Sequence, residues 1–149
     1  MAAIPYDEAN VFLKIRDGVI PSFKIFETEH VFAMLDGFPL VPGHALLIPK
    51  AQGYATIMDM PADVAAAVFR ELPRLARAVQ AATGAPGINI LQNNGRPAGQ
   101  AVFHLHIHVI PRFDGDGLIS MPPDHVQLER EAGEDMLARV QAHLTDSSR

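Results

Sequence analysis

The sequence predicts an α+β fold in which one long helix covers one face of a mainly antiparallel, five-stranded sheet. Three observations favour it. Three short apolar or alternating segments lie before residue 50, a helical period fills residues 62–82, and two more apolar segments follow. With 149 residues, of which 48% are hydrophobic, the chain can bury a substantial core. We therefore expect a single domain over residues 1–149.

The strands are expected on both sides of the long helix. A short helix or loop near Asn10 to Asp17 precedes the segments "SFKIFETE", "HVFAML" and "HALLIP", which read as three strands. In the first segment, Phe23 and Ile25 alternate with polar neighbours. The loop "DGFPLVPG" is rich in turn formers. The last two strands are expected in "GINILQN" and "VFHLHIHVI".

The long helix is expected to begin near Asp59 as N-cap, with Pro61 close to the first helical position and Asp63 in the first turn. Pro73 should kink or split it, and "TGAPG" should end it. An apolar stripe should face the core: Val64, Val68, Leu72, Leu75 and Val79. Three arginines lie off that stripe and should face water: Arg70, Arg74 and Arg77.

The end of the chain has a weaker pattern. Residues Asp124 to Leu144 predict a polar helix with a partial apolar stripe, and the final "TDSSR" is expected to fray. We expect this helix to be appended to the sheet and its helices.

The composition excludes several classes of function. A net charge of −5 is unfavourable for binding nucleic acid or an anionic membrane. The absence of cysteine excludes disulfides and thiolate metal sites, and it fits a reducing compartment. There is no signal-peptide pattern, and no apolar run approaches the length of about 20 residues that spans a membrane. A cytoplasmic enzyme or binding protein is expected.

The segment "VFHLHIHVIPR" places His104, His106 and His108 at every second position. On a strand such residues share one face, about 6.5–7 Å apart along the chain. The residues between and after them should face the core: Leu105, Ile107 and Val109. The strand geometry therefore predicts three imidazoles that can address one small group together.

Three interpretations of this run compete. The histidines could be surface or packed residues, a three-histidine metal site, or partners of a phosphate. Three consecutive same-face residues splay too far for one tetrahedral ion, and no nearby acidic residue completes a ligand set. Phosphate chemistry would use one neutral imidazole as nucleophile and the others as hydrogen-bond partners. The preceding loop favours it, because Gly95 and Gly99 let the backbone approach an anion. His44 could add a fourth imidazole.

The motif "HLHIHVI" resembles the signature of the histidine triad family of nucleotide hydrolases and transferases. The segments "IPSFKIFETEHVFAMLDGFPLVPGHALLIPK" and "GINILQNNGRPAGQAVFHLHIHVIPR" are similar to the two halves of that family. The resemblance covers about residues 11–112, which leaves 113–149 as a C-terminal extension. It implies a five-stranded antiparallel sheet, a homodimer, and hydrolysis or transfer at the α-phosphate of a purine nucleotide through a nucleotidyl-histidine intermediate.

The resemblance also assigns roles to residues. It implies that His106 is the nucleophile, that His108 and His44 bind phosphate oxygens, more effectively if protonated, and that His104 orients the cluster. Asn93 would lie beside the α-phosphate and Asp36 would accept the ribose hydroxyls. Backbone N–H groups would hold the leaving side at Gly99, Gln100 and Ala101. The base pocket would be lined by Phe12, Ile15 and Met34. No metal and no cofactor would be needed, since imidazoles and amide N–H groups supply the electrostatic stabilisation.

The chain departs from the family at several positions. Many bacterial members carry a Cys-x-x-Cys and a further histidine for a structural zinc, where this chain has Asn10, Leu13 and Gln52. We therefore predict no zinc. Ala101 stands where aminoacyl-nucleotide phosphoramidases often have serine, and Gly37 replaces a bulkier apolar residue near the base.

The sequence thus predicts a metal-independent hydrolase of a nucleoside 5′-phosphoramidate or a related phosphoanhydride. A dinucleoside polyphosphate hydrolase or a nucleotidyl transferase is the alternative among enzymes. A nucleotide-binding or partner-binding module without turnover is the alternative from another class.

Overall fold

The computed structural model describes residues 3–119 and 126–144. The chain divides into two compact units, one up to Asp116 and one from Gly117 onward. The first unit holds the sheet and the histidines, and the prediction of a single domain stays a prediction. No helix among the described residues is both long and apolar enough to cross a membrane.

The first unit has the predicted order of elements. Its helices are α1 (Val11–Arg16), α2 (Ala62–Phe69) and α3 (Leu72–Thr83). Its strands are β1 (Lys24–Glu27), β2 (Val31–Leu35), β3 (Ala45–Pro49), β4 (Gly87–Leu91) and β5 (Ile107–Arg112). Short 3₁₀ turns lie at Ile57–Asp59 and Arg96–Ala98. The second unit contains helix α4 (Arg130–Ala142).

The five strands form one sheet in the order β1-β2-β3-β5-β4, and every pair is antiparallel. Strand β5 lies between β3 and β4, so the histidine segment enters the middle of the sheet. Leu46 of β3 pairs with His108 of β5. This register brings His44, which precedes β3, close to the end of the histidine segment. The predicted α+β fold with a five-stranded antiparallel sheet is confirmed.

The sheet is covered by apolar side chains on both faces. One face packs Val31, Leu47 and Ile107 against Leu75 and Val79 of α3, and all five are buried. On the other face a second buried cluster surrounds α1: Phe12, Phe32, Met34, Leu46 and Ile48. The strand alternation therefore supplies two cores, and the second one supports the residues nearest to the histidines.

The long helix is split, as Pro73 predicted. Helix α2 ends at Phe69 and α3 begins at Leu72, which places Pro73 in the first turn of α3, where its missing N–H costs no helical hydrogen bond. Gly84, with φ of 68°, ends α3. The predicted N-cap is wrong. Pro61 occupies the N-cap position of α2, and the carboxylate of Asp59 accepts hydrogen bonds from Thr56 in the preceding 3₁₀ turn.

The side chains of this helical region mostly lie where the sequence placed them. Val68, Leu75 and Val79 are buried, whereas Val64 and Leu72 are partly buried. The three arginines are exposed: Arg70, Arg74 and Arg77. The guanidinium of Arg74 lies 3.8 Å from the centre of the Phe26 ring, so this exposed arginine also covers part of the sheet.

Two strand predictions need correction. Phe23 and Ile25, which alternate with polar neighbours in the sequence, are both exposed, and Phe26 packs against the core instead. An irregularity between Lys24 and Phe26 shifts the register of β1 and so changes which side chains face inward. Strand β5 begins only at Ile107, so its predicted first half is irregular backbone.

The predicted C-terminal helix is shorter than expected. Helix α4 begins at Arg130, with Glu129 at its N-cap, and Val126 and Leu128 precede it as exposed residues. The predicted start at Asp124 and the expected fraying of residues 145–149 lie outside the described residues.

We predict that Gly43→Ala lowers the free energy of unfolding by about 2 kcal/mol, because φ at Gly43 is +91°. An added Cβ would also overlap Cγ2 of Thr83. That side chain cannot easily turn away, since its hydroxyl donates to the carbonyl of Val79 over 2.8 Å. Urea unfolding measures the change. Gly37→Ala is the control, because no atom lies within 4 Å of a Cβ there. Equal stability of the two variants would contradict the prediction.

Candidate active site

A cavity of about 620 Å³ opens beside the histidine segment, α1 and the end of β2. Most of its lining is apolar, and its polar side chains include those of Asp36, His106 and His108. Eight residues predicted for the site line it: Phe12, Ile15, Met34, Asp36, Gly99, Ala101, His106 and His108. Four others do not line it: His44, His104, Asn93 and Gln100. A cavity of this size and composition is typical of a site for a small molecule.

The imidazole of His106 has a fixed orientation. Its Nδ1 lies 2.7 Å from the carbonyl oxygen of His104. Because a carbonyl can only accept, Nδ1 carries the hydrogen and Nε2 keeps its lone pair. No described residue makes a hydrogen bond to that Nε2. The Phe12 ring, 4.8 Å away between centroids, packs against the imidazole. His106 therefore presents an unprotonated nitrogen in a cavity wall.

His44 and His108 form a directed pair. The backbone N–H of Leu40 donates to Nδ1 of His44 over 3.1 Å, so the hydrogen of His44 is on Nε2. That Nε2–H donates to Nδ1 of His108 over 2.9 Å. The hydrogen of His108 is consequently on Nε2. This series of hydrogen bonds begins at the Leu40 amide and ends at the Nε2–H of His108. Because His108 lines the cavity, this N–H is a hydrogen-bond donor close to His106.

His104 uses both of its ring nitrogens within the protein. Its Nε2–H donates to the carbonyl of Pro49 over 2.8 Å, and its Nδ1 accepts from the hydroxyl of Tyr6 over 2.6 Å. The ring is fully buried. The expectation that all three histidines lie on one strand is wrong, since β5 begins only at Ile107 and both His104 and His106 precede it. The rings of His106 and His108 lie 5.0 Å apart, whereas the ring of His104 contacts Tyr6.

Burial keeps the four histidines of the site neutral: His44, His104, His106 and His108. Desolvation lowers the pKa of His104 and of His108 to about 4. Desolvation also lowers the pKa of His106, although its bond to the carbonyl of His104 opposes the shift. The pKa of His44 is likewise lowered by burial, against the attraction of Asp36. In the unliganded protein His44 and His108 are thus neutral donors at pH 7.

Asp36 lies close to the histidine pair. Its Oδ1 accepts the N–H of Phe38 over 2.9 Å, and its Oδ2 lies 3.5 Å from Nε2 of His44. The expectation that no acidic residue would complete a ligand set is wrong, since possible ligand atoms of Asp36, His44 and His108 lie within 4.8 Å of one another. However, the Leu40 amide leaves a hydrogen on His44 Nε2, the atom that a cation would need. These groups therefore fit a hydrogen-bonding ligand better than a metal.

The loop before the histidines is held by Gln100. Its side chain accepts the N–H of Gly95 over 2.8 Å and donates to the carbonyls of Ala55 and Val102. A ligand can therefore meet this residue only through its backbone. Asn93 lies next to the same loop, with Nδ2 3.5 Å from the carbonyl of Gly99. The loop thus presents its backbone near Gly99 and Ala101 to the cavity.

Sequence reasoning missed three of these contacts. The Tyr6 hydroxyl contacts His104, 98 positions away, whereas the Leu40 amide and Asp36 approach His44 within the loop between β2 and β3. The segment "YDEAN" before α1 carries no motif that would have identified Tyr6. Only the position of Asp36 could be inferred, and that inference came from the family resemblance.

The chain is similar to known proteins in both sequence and fold. The HIT domain matches residues 17–115. The adenylylsulfatase HINT3 of Arabidopsis thaliana is 39% identical over 90% of this chain and 68% of its own. The adenosine 5′-monophosphoramidase HNT1 of Saccharomyces cerevisiae is 44% identical over 72% of this chain and 65% of its own. The crystal structure of a HIT family protein from Bacillus subtilis superposes with a TM-score of 0.86 and 33% identity, over 93% of this chain and 99% of that one. By sequence and by fold, this chain belongs to the HIT family.

Proposed function

We propose that the protein hydrolyses a purine nucleoside 5′-phosphoramidate or a related nucleotide at its α-phosphate, through a nucleotidyl-histidine intermediate. The observation that carries the proposal is the orientation of His106, whose Nδ1–H is held by the carbonyl of His104. Its Nε2 therefore has a lone pair available in a largely apolar cavity. A neutral, oriented imidazole of this kind is a competent nucleophile.

In the first step Nε2 of His106 attacks the α-phosphorus. The bond from phosphorus to the leaving nitrogen or oxygen breaks, and its electron pair departs with the leaving group, which takes a proton from solvent if it is an amine. The imidazole becomes cationic because Nδ1 keeps its hydrogen. The carbonyl of His104 then accepts a charge-assisted hydrogen bond, which stabilises the intermediate.

In the second step water attacks the same phosphorus. The bond between phosphorus and Nε2 breaks, neutral His106 is restored, and the nucleoside monophosphate leaves after the water has lost a proton. Phosphate oxygens would be bound by the Nε2–H of His108, the amide of Asn93 and the backbone N–H groups of residues 99–101. Such fixed donors stabilise developing negative charge in a site with little water.

The rest of the cavity fits a nucleoside. The carboxylate of Asp36 is a hydrogen-bond acceptor suited to the two ribose hydroxyls. Phe12, Ile15 and Met34 offer an apolar pocket for the base. The names of two relatives, an adenylylsulfatase and an adenosine 5′-monophosphoramidase, support an adenylyl group as the common element and leave the leaving group open.

We also propose that the chain forms a homodimer, as the family resemblance implies. Strand β4 lies at one edge of the sheet, with no strand on its outer side among the described residues, and its residue Ile90 is 45% exposed. An exposed edge strand with an apolar side chain is suited to pairing with another chain.

We predict that His106→Ala lowers turnover by about 10³-fold or more while nucleoside monophosphate still binds, because only the nucleophile is removed. Rapid-quench mass spectrometry of the wild type should show one added nucleotide on the peptide that contains His106. The matched control is His30→Ala, since His30 is exposed and remote from the cavity. Unchanged turnover of His106→Ala would favour a binding module or another nucleophile.

We predict that kcat/KM stays level from pH 8 to below pH 6.5. Burial lowers the pKa of His106 below the ordinary value of 6.5, so its Nε2 keeps the lone pair over this range. Activity should fall only at lower pH, as a proton binds to His106 and removes the lone pair of its Nε2. A pH–rate profile tests this, with each rate corrected for hydrolysis without enzyme. An acid limb at or above pH 6.5 would count against a buried neutral nucleophile.

We predict that Ala101→Ser raises the preference for an amine leaving group by about tenfold, through one added hydrogen bond in the transition state. The measurement is the ratio of kcat/KM for adenosine 5′-phosphoramidate to that for adenylylsulfate. Ala101→Cys is the size-matched control with only a weak donor. Diadenosine polyphosphate is assayed in parallel, and faster turnover of that substrate by the wild type would favour the alternative hydrolase.

A further inference from the structure

We propose that Tyr6 is a positioning residue of the reaction, because its hydroxyl holds His104 so that the carbonyl of that residue is aimed at Nδ1 of His106. The inference rests on the proposed function. Tyr6 lies outside the cavity lining and would not touch the substrate. Its effect would pass through one histidine to the next.

The hydrogen of the Tyr6 hydroxyl has only one use among the described contacts. Nδ2 of Asn10 donates to the Tyr6 oxygen over 3.2 Å, so that oxygen accepts there and its own hydrogen is free for another partner. The partner is Nδ1 of His104, at 2.6 Å. Asn10 is itself fixed, since its Oδ1 caps α1 through the N–H groups of Phe12 and Leu13.

His104 is therefore held at both ends of its ring. The Tyr6 hydroxyl sets the tautomer with hydrogen on Nε2, and this hydrogen bonds to the carbonyl of Pro49 over 2.8 Å. Without the hydroxyl, Nδ1 loses its only described donor. The ring could then exchange tautomers or take up a proton, and its contact with Pro49 would no longer be fixed.

The peptide unit between His104 and Leu105 connects the ring of His104 to the ring of His106. On one side, the N–H of Leu105 donates to the carbonyl of Tyr54 over 2.9 Å. On the other side, the His104 carbonyl accepts Nδ1–H of His106 over 2.7 Å. One peptide plane thus sets the direction of the His106 ring. A small rotation of this plane would misdirect Nε2, and errors of about 1 Å in a reacting group are costly to the rate.

Removal of the hydroxyl should leave the fold intact. The Tyr6 ring keeps its packing against His104, with centroids 5.6 Å apart. The N-terminal segment is also held by the bond from Asn10 Nδ2 to the carbonyl of Asp7, at 2.7 Å. Burial raises the pKa of Tyr6, so the hydroxyl remains a donor throughout the neutral range.

The test compares Tyr6→Phe with Tyr54→Phe, because these are the two tyrosines of the chain. The Tyr54→Phe variant keeps the backbone carbonyl that accepts the N–H of Leu105, and the Tyr54 hydroxyl makes no hydrogen bond to any described residue, so removal of that hydroxyl is the matched control. With adenosine 5′-phosphoramidate, Tyr6→Phe should lower kcat and the rate of nucleotidyl-enzyme formation about tenfold, with KM changed by less than about twofold. Tyr54→Phe should match the wild type.

Nitrogen-15 NMR of the histidine side chains provides a readout independent of activity. His104 should show the Nε2–H tautomer in the wild type and in Tyr54→Phe. Tyr6→Phe should show mixed tautomers or protonation at higher pH. When fluorotyrosine replaces tyrosine in the Tyr54→Phe protein, only position 6 is modified. The fluorinated hydroxyl loses its proton at a lower pH than that of tyrosine. The decline of kcat at alkaline pH should therefore move to lower pH. This labelled protein keeps the test valid if Tyr6→Phe folds poorly.

The outcomes separate the two proposals. Normal wild-type turnover with an unchanged kcat in Tyr6→Phe would overturn the positioning role alone, as would an equal loss in Tyr54→Phe. A wild type without turnover on any nucleotide tested would overturn the proposed function, and this inference with it. An unaltered His104 tautomer in Tyr6→Phe would show that the hydroxyl does not set the ring.

Discussion

The carbonyl of His104 accepts a hydrogen bond from Nδ1 of His106, and the arrangement of the whole site depends on this contact. It decides which nitrogen of His106, the proposed nucleophile, keeps a lone pair. The carbonyl that makes it belongs to irregular backbone, because regular sheet pairing begins only at Ile107. Three buried apolar residues keep the segment in the core all the same: Leu105, Ile107 and Val109. The segment is thus anchored by its apolar side chains while one peptide remains available to the imidazole.

A cluster of neutral histidines suits a site for an anion. Desolvation lowers each pKa, and among the described residues no buried side-chain nitrogen or oxygen lacks a hydrogen-bond partner. The cluster can therefore be buried without unpaired charge. A bound phosphate would reverse part of this effect, since a nearby negative charge favours the protonated form of an imidazole. The imidazoles would then be neutral hydrogen-bond donors in the free protein and charged donors in the complex with phosphate.

The sequence predicted most of the fold, because strand alternation and the Pro73 split are local signals. The sequence-based prediction was wrong where contacts between strands, which the local pattern does not determine, changed the backbone. The alternation of Phe23 and Ile25 was overridden by the irregular register of β1, and the histidine alternation continued into backbone that forms no strand. In the candidate site, the contact from Tyr6 to His104 joins residues 98 positions apart. The periodicity of the sequence cannot predict such a pair, whereas the resemblance to the family could assign the residues of the motif "HLHIHVI".

The positions that depart from the zinc-binding pattern have other contacts in this protein. Asn10 caps α1 and donates to Tyr6, the side chain of Leu13 is buried, and Oε1 of Gln52 lies 3.4 Å from Nη1 of Arg16. Helix α1 is thus joined to the histidine segment by hydrogen bonds that end on His104. The same contacts order the N-terminal segment and orient the peptide beside the nucleophile. Because one network serves both purposes, the stability of this segment and the alignment of His106 should be coupled.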